Sequence, residues 1–354
     1  MRISDFTVTD LTIPLHEPFG IATGAQHSAD NLLVTITLDD GTTGIGEAAP
    51  FPAVNGETRE LARAALAHPR LVGRDPREWR LIAADLAREI PESASARCAV
   101  ETAVLDALCR RVGLPLWAFL GGASRLLTTD MTVTTGDAAH AARSARAIAA
   151  RGFATLKLKV GGAPLSVDVE RIAAVHAAAP SCALLIDANG GMENADAALA
   201  LLAKAQALGA TVVAFEQPLD KHDFKGQRDL CERSAVRIVA DESSGSISDV
   251  VRIARDKLAH AVNLKIMKSG VVQALEMAAT ARAFGLGLMI GGMVESEIAM
   301  TTSACVAAGL GGFFAIDLDT HLFLKSSPVR GGVHDMGPQL DLSAISAGHG
   351  CHLD

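Results

Sequence analysis

The chain of 354 residues has no tyrosine, and nothing else in its composition accounts for that absence. It also has no pair of cysteines in CxxC spacing. Its cysteines, Cys98, Cys109, Cys182, Cys231, Cys305 and Cys351, are scattered. Such a distribution reads as free thiols in a reducing compartment, not as a disulfide framework or a zinc site. No uninterrupted apolar run approaches the length that spans a bilayer, so no membrane partner is expected. The opening MRISDFTVTD lacks an apolar core and a cleavage pattern, so a secretion signal is not expected and a cytoplasmic location is. Basic residues are in deficit: the formal net charge is −8, which argues against nucleic-acid binding. Lysine and arginine are missing altogether between Arg2 and Arg59. What remains is 49% apolar and 20% charged, the balance of a soluble globular protein with a substantial core. The length suits a large barrel with a second lobe, or two ordinary domains.

Two alternating runs, Asp5–Ile13 and Asn31–Leu38, read as strands. Asp39-Asp40-Gly41 is turn chemistry leading into Gly44-Ile45-Gly46-Glu47. From about Glu57 to Leu120 the texture is helical, most clearly over Ser95–Arg111, which Gly113 and Pro115 close. After Gly121-Gly122, short apolar strands alternate with Ala-rich helices. They are MTVTT at 131, ATLKLKV at 154, ALLIDAN at 183, TVVAFEQP at 211, VRIVADES at 236, AVNLKIM at 261, LGLMIGG at 286 and FFAIDLDT at 313. That spacing is the pitch of a βα repeat, so the expectation is a modified (β/α)8 TIM-type barrel with an N-terminal α+β capping domain. The boundaries follow as 1–122 for the cap, 123–324 for the barrel, and 325–354 for a segment returning to the cap.

In such a barrel chemistry sits at the C-terminal ends of the strands. Read in order, those ends carry Lys157 and Lys159, Asp187, Glu216, Asp241, Lys265, and Asp317 with Asp319. Alternation puts Lys157 and Lys159 on one face of their strand and Asn263 with Lys265 on one face of another. Singly, each has an ordinary explanation as a solvated face, a turn or a cap. Jointly, three acids ending three successive strands point at one volume and repel one another without a cation. Hard oxygen ligands suit Mg²⁺. Lysines on the second and sixth strands then face each other across it. Asp317 and Asp319 pose a separate question, because two carboxylates aimed one way call for a metal ion, a buried lysine or a cationic part of a ligand.

Lys157-Leu158-Lys159, Asp187, Glu216, Asp241 and Lys265 in NLKIMKSG, with GIGEAAP and FEQPL, resemble the enolase superfamily in its muconate lactonizing enzyme subgroup. The resemblance spans nearly the whole chain. It implies Asp187, Glu216 and Asp241 as Mg²⁺ ligands, with Lys159 and Lys265 as acid/base groups on opposite faces of a substrate α-carbon. Lys157 then favours the neutral form of Lys159 and bonds the substrate carboxylate. The reaction begins with removal of a proton α to a carboxylate, and the enediolate needs electrostatic stabilisation. Opposed lysines fit 1,1-proton transfer, and are also compatible with elimination or cycloisomerisation. Lys268 is expected on the following loop.

Asp317-Leu318-Asp319 resembles the mark of dipeptide epimerases, where it anchors the substrate ammonium, and Thr132 matches a position that hydrogen-bonds the dipeptide. Members acting on Ala-Glu carry an arginine in the stretch after the first strand. Here residues 16–31 hold none, and Thr23 stands in its place. An unpaired buried glutamate would be costly, so a neutral, apolar or cationic second residue is expected. Phe19, Ile21, Thr23 and Gln26 are candidate specificity residues, and Glu295 or Glu297 a further substrate contact. The expected partner is a dipeptide and the expected assembly a homo-oligomer. Relatives acting as o-succinylbenzoate synthase, N-acylamino acid racemase or muconate cycloisomerase give the two aspartates no obvious cation. A sugar-phosphate barrel using Gly291-Gly292 and Gly311-Gly312 would not need the acids, and a non-catalytic binding barrel would not need the lysines. Gly44-Ile45-Gly46 opens no βαβ helix and reads as unrelated to nucleotides. His349-Gly350-Cys351-His352 is expected to be a disordered tail.

Overall fold

The computed structural model describes residues 1–21 and 24–354, leaving aside the side chains of Ile21, Ala25, Ala53 and Asn55. The chain opens with a three-stranded antiparallel sheet of Ile3–Ile21, Gly24–Leu38 and Thr43–Ala48. The first two strands run well beyond the expected limits. Of residues 16–31, expected as a connecting loop, the described ones, 16–21 and 24–31, belong instead to the two arms of a hairpin in which Phe19 faces Gln26 and Gly20 faces Ala25. A register shift between Pro14 and Phe19 accommodates Pro14 and Pro18, which have no N–H to give the ladder.

The helix Ala94–Val112 lies across this sheet, and it ends at Gly113 in the left-handed conformation, as the sequence indicated. Gly44 and Gly46 exist for this packing. A Cβ on Gly44 would stand 2.3 Å from the Ala103 carbonyl oxygen, and one on Gly46 2.0 Å from that of Ala99. The Gly-Ile-Gly run is therefore a seat for a helix.

Eight parallel strands follow in strict sequence order: Met131–Val133, Thr155–Lys159, Ala183–Asp187, Val212–Glu216, Arg237–Ala240, Ala261–Leu264, Gly287–Ile290 and Phe313–Ile316. Their outward residues, such as Leu156, Leu158, Ile186, Phe215 and Ile238, are buried against the surrounding helices. Their lower inward residues, Leu185, Ala214, Val239, Ala261 and Met289, form a separate small cluster inside the barrel. Side chains two residues further along are Asp187, Glu216, Asp241 and Asn263. Alternation thus builds an apolar interior below and a polar mouth above.

The first and eighth strands close the barrel without a regular ladder. Asp130 N–H donates to the Ile316 carbonyl at 3.0 Å, and Thr129 Oγ1–H donates to the same oxygen at 3.2 Å. Leu318 N–H donates to Thr129 Oγ1 at 2.9 Å, and Thr132 N–H to Asp319 Oδ2 at 2.6 Å.

The tail from Lys325 returns along the molecule. Gln339–Asp341 pairs with Leu126–Thr128, and Cys351–Leu353 pairs with Val329–Gly331. Residues 349–352 are not a disordered tail. His349 is fully buried; its ring meets the Ile45 carbonyl at 2.9 Å, and its N–H donates to Asp106 Oδ1 at 2.9 Å. Asp106, itself buried in the long helix, also accepts from Ile45 N–H, so one carboxylate ties sheet, helix and tail together. The six cysteines are free and buried, and no described helix is long and apolar enough to cross a membrane.

Gly46→Ala should destabilise the fold by roughly 1–3 kcal/mol through overpacking against helix backbone that cannot yield. Gly245→Ala, where the nearest atom is 3.8 Å from the added Cβ, should be close to neutral. Thermal melts of the two variants check this, and equal melting temperatures would contradict the packing role of Gly46.

Candidate active site

The residues singled out at the strand ends converge on the barrel mouth. Lys157 Nζ lies 2.9 Å from Asp187 Oδ2, 2.7 Å from Glu216 Oε2 and 2.7 Å from Asp317 Oδ2. Lys159 Nζ lies 2.7 Å from Asp187 Oδ2 and donates to Asn189 Oδ1 at 3.3 Å. Across the mouth, Lys265 Nζ is 2.7 Å from Asp241 Oδ2. Lys268 is not on a loop away from the site. A short helix, Ile266–Ser269, begins immediately after Lys265 and folds Lys268 back over the strand end. There its ammonium donates to Asp241 Oδ1 and the Asp241 carbonyl, both at 2.6 Å.

These groups are almost wholly out of water: Asp187, Glu216 and Asp241 are 0% exposed, and Lys157, Lys159 and Lys265 at most 5%. Burial alone would neutralise Lys157, but Asp187, Asp317 and Glu216 overcome it and hold the ammonium charged well above its usual range. Lys265 follows the same pattern, with burial opposed by Asp241 and then Glu216. Asp187 and Asp241 resist burial through their lysine neighbours and stay below the ordinary carboxylate range. Glu216 does not: burial and the Asp187 charge push it up to about 8.

The three acids occupy adjoining strands as expected, with Asp187 directly beside Glu216. Their oxygens, however, are turned to ammonium groups, and among the described residues no three metal-ligating side chains stand together as a cage. The donor set still fits a hard divalent cation. It offers three buried carboxylates of like charge, and burial with the Asp187 charge keeps Glu216 hard to ionise even though Lys157 lies 2.7 Å away.

Asp317 and Asp319 differ from the expectation of two equivalent carboxylates on one strand face. The strand ends at Ile316; Asp317 still donates its N–H to the Ile290 carbonyl, but Asp319 has left the extended conformation, with φ −118° and ψ −11°. Asp317 holds Lys157, while Asp319 holds the Thr132 backbone through Oδ2. Asp319 Oδ1 is buried without a hydrogen-bond partner among the described residues, and burial with the Asp317 charge raises this carboxyl to about 6.

Both aspartates line a small cavity with Thr132, Lys157, Lys159, Asn189 and Lys265. Its apolar wall is Phe19, Phe51, Val54 and Met293, and Phe19 packs edge-on against Phe323 with ring centroids 5.4 Å apart. Phe51, Val54, Asn189, Met293 and Thr320 were not anticipated, since nothing in their local sequence separates them from ordinary core or loop residues. Thr23 lies outside the described residues, as does the Ile21 side chain. Gln26 stands across from Phe19 but does not line the cavity.

Glu295 and Glu297 do not line this cavity. Glu295 turns inward to accept the Met293 N–H at 2.6 Å, and Glu297 accepts from Ser327 Oγ at 2.6 Å. The two Gly-Gly pairs offer no joint phosphate cradle. Gly291-Gly292 follows the seventh strand and abuts Asp317 and Glu295, while Gly311-Gly312 precedes the eighth strand at the opposite end of the barrel.

Comparison with known proteins agrees with this geometry. Residues 3–121 match the mandelate racemase / muconate lactonizing enzyme N-terminal domain, and residues 139–354 match the enolase C-terminal domain-like family. The aromatic dipeptide epimerase of Herpetosiphon aurantiacus is 49% identical over 97% of this chain and 96% of its own. A substrate-liganded L-Ala-D/L-Glu epimerase from Bacillus subtilis superposes with a TM-score of 0.96 at 30% identity, covering 99% of each chain. The dipeptide epimerase of Enterococcus faecalis complexed with Mg and L-Leu-L-Tyr gives 0.93 at 29% identity, again over 99% of each.

Burial raises Glu295 from 4.5 to about 8. The folded state therefore keeps a proton that the unfolded chain releases above 4.5, and stability falls as pH rises from about 4.5 to about 8. In Glu295→Gln this contribution should vanish, and the melting temperature should fall less across that window than in the wild type.

Proposed function

The chain belongs to the mandelate racemase/muconate lactonizing enzyme family of the enolase superfamily, and on that footing we propose that it is a Mg²⁺-dependent dipeptide epimerase preferring an apolar or aromatic second residue. It is an isomerase of the racemase and epimerase kind, as its relatives are. The observation that carries the finer reading is the presence, in one cavity, of Lys159 and Lys265 together with Asp317 and Asp319.

Asp187, Glu216 and Asp241 would hold the metal ion. Bound there, Mg²⁺ supplies Lewis-acid stabilisation of the negative charge that develops on the substrate carboxylate. Lys157, held charged by its three carboxylates, is placed to bond that carboxylate. The substrate ammonium takes the unpartnered Asp319 Oδ1 and the Asp317 carboxylate, which fixes the second residue's α-carbon between the two lysines. Lys159 or Lys265, released from its Asp187 or Asp241 partner and deprotonated, would take the α-proton, and the freed electron pair would pass into the carboxylate as an enediolate. The opposite lysine, as ammonium, returns a proton to the other face. The long hairpin brings Phe19 over the cavity and, with Phe51, Val54 and Met293, supplies an apolar wall that limits water. With no lysine or arginine between Arg2 and Arg59, that hairpin has no permanently charged side chain to pair with a glutamate.

Incubating L,L-dipeptides in D₂O with Mg²⁺ should give deuterium at the α-carbon of the second residue, fastest for Phe-, Leu- or similar C-terminal residues and slowest for Glu. Lys159→Ala and Lys265→Ala should abolish epimerisation, EDTA should suppress it, and Asp319→Asn should raise KM for the dipeptide by about tenfold or more. Turnover of an N-acylamino acid with no exchange on any dipeptide would sink the assignment.

A further inference from the structure

The catalytic reading leaves a buried ion pair beside the site unused. Arg171, on the helix Leu165–Ala178, is 4% exposed, and Asp168, one turn earlier on the same helix, is 1% exposed. Neither faces the cavity that holds the aspartates and lysines. Burying a guanidinium and a carboxylate is costly, and the geometry of an ideal pair is absent, since Arg171 Nη1 and Asp168 Oδ1 are 3.7 Å apart. Each group instead spends its hydrogen bonds on backbone at the ends of the first two barrel strands.

Pairing between the first and second barrel strands stops at Val133 with Leu158. The next two carbonyls, of Thr134 and Lys159, both accept from Arg171: Nη2 reaches Thr134 O at 3.0 Å, and Nη1 reaches Lys159 O. Asp168 Oδ2 accepts the N–H of Gly161, two residues beyond Lys159, at 2.9 Å. Gly161 itself adopts φ +85°, and a Cβ there would stand 3.0 Å from the Ala188 carbonyl oxygen, so this turn has little freedom of its own.

Resting on the epimerase reading above, we propose that Arg171 and Asp168 form a brace that sets the backbone, and hence the ammonium position, of Lys159, and so act as positioning residues for proton transfer on one face of the substrate only. Among the described residues no arginine–aspartate pair bonds the Lys265 backbone; its strand end is held by Lys268 and Ser244 on the Asn263 carbonyl and by the short helix Ile266–Ser269, none of which touches Arg171 or Asp168. Loosening it therefore handicaps one lysine and spares the other, a signature that general destabilisation does not produce.

The test compares α-proton exchange in D₂O for the preferred L,L-dipeptide and its L,D epimer, with Lys159→Ala identifying which epimer depends on Lys159. Arg171→Lys should slow exchange from that epimer by about tenfold or more while leaving the other within about twofold and KM little changed. Equal slowing of both epimers, or of neither, overturns the proposal. Should Arg171→Lys fail to fold, Asp168→Asn keeps the volume and guanidinium in place, and it should give the same asymmetry in weaker form; symmetric rates there also overturn it. Amide hydrogen exchange at Gly161 reads the brace without any substrate: faster exchange in either variant is expected, and unchanged protection rules the brace out. If the wild type acts on an N-acylamino acid instead of a dipeptide, the functional reading above fails, while the same asymmetry measured on that acid still decides the brace.

Discussion

The barrel mouth depends on charge compensation in a space that water barely enters. Lys157, Lys159, Lys265 and Lys268 are packed among Asp187, Glu216, Asp241, Glu242, Asp317 and Asp319, and neither set could be buried without the other. The compensation is incomplete. Glu216, Glu242 and Asp319 are all raised above their ordinary values, burial first and neighbouring carboxylates next. A site with more carboxylates than ammonium groups favours ligands that bring positive charge. In the proposed function these are a divalent cation at one end and a substrate ammonium at the other. The opposed lysines stand between them, where the substrate carbon would lie.

The rest of the fold keeps that mouth assembled. Glu47, from the third strand of the N-terminal sheet, accepts Ser296 N–H and Oγ–H and the Ala299 N–H, capping the helix Glu297–Leu310 that follows the seventh barrel strand. Asn31 from the neighbouring strand donates to Glu47 at 2.6 Å and to the Val294 carbonyl at 3.0 Å. Buried and bonded in this way, the N-terminal sheet is fixed against the barrel's upper rim, and the hairpin carrying Phe19 extends from that fixed base. Asp106 does the same at the far side for the tail.

Much of this was legible in the sequence because it follows from periodicity. A βα pitch announces the barrel, and period-two alternation puts lysines and acids on its inner face. What escaped has physical reasons of its own. Residues 16–31 hold Pro18, two glycines and several short polar side chains and show no sustained alternation, so no pattern in them signalled strands; cross-strand pairing extends the described ones anyway. Lys268 was misplaced because a single helical turn after Lys265 is too short to leave a periodic trace. His349 and Cys351 looked like a polar terminus, yet their partners, Asp106 and Ile45 for His349 and Arg110 and Glu297 for Cys351, are distant in the chain. Carboxylate rotamers are set by which ammonium lies nearest, which spacing does not encode. Arg171 sits at an unremarkable helical position, and only the end of the neighbouring ladder gives it a task.

The two aspartates at the end of the eighth strand bring fold and function to one point. Alternation assigned them the same direction, but the strand has ended before Asp319, and its carboxylate substitutes for a missing ladder acceptor by taking the Thr132 N–H. Closure of the barrel therefore passes from a backbone carbonyl, Ile316 accepting the Asp130 N–H, to a side chain at Thr132. A carbonyl in that place would present a neutral dipole; a carboxylate presents a second oxygen and a charge. Asp319 Oδ1 is that second oxygen, buried, unpartnered among the described residues and facing the same cavity as the lysines. If a ligand ammonium occupies it, binding and closure share one carboxylate, and the substrate completes the seam that aligns the first strand's Thr132 with Lys157 of the second.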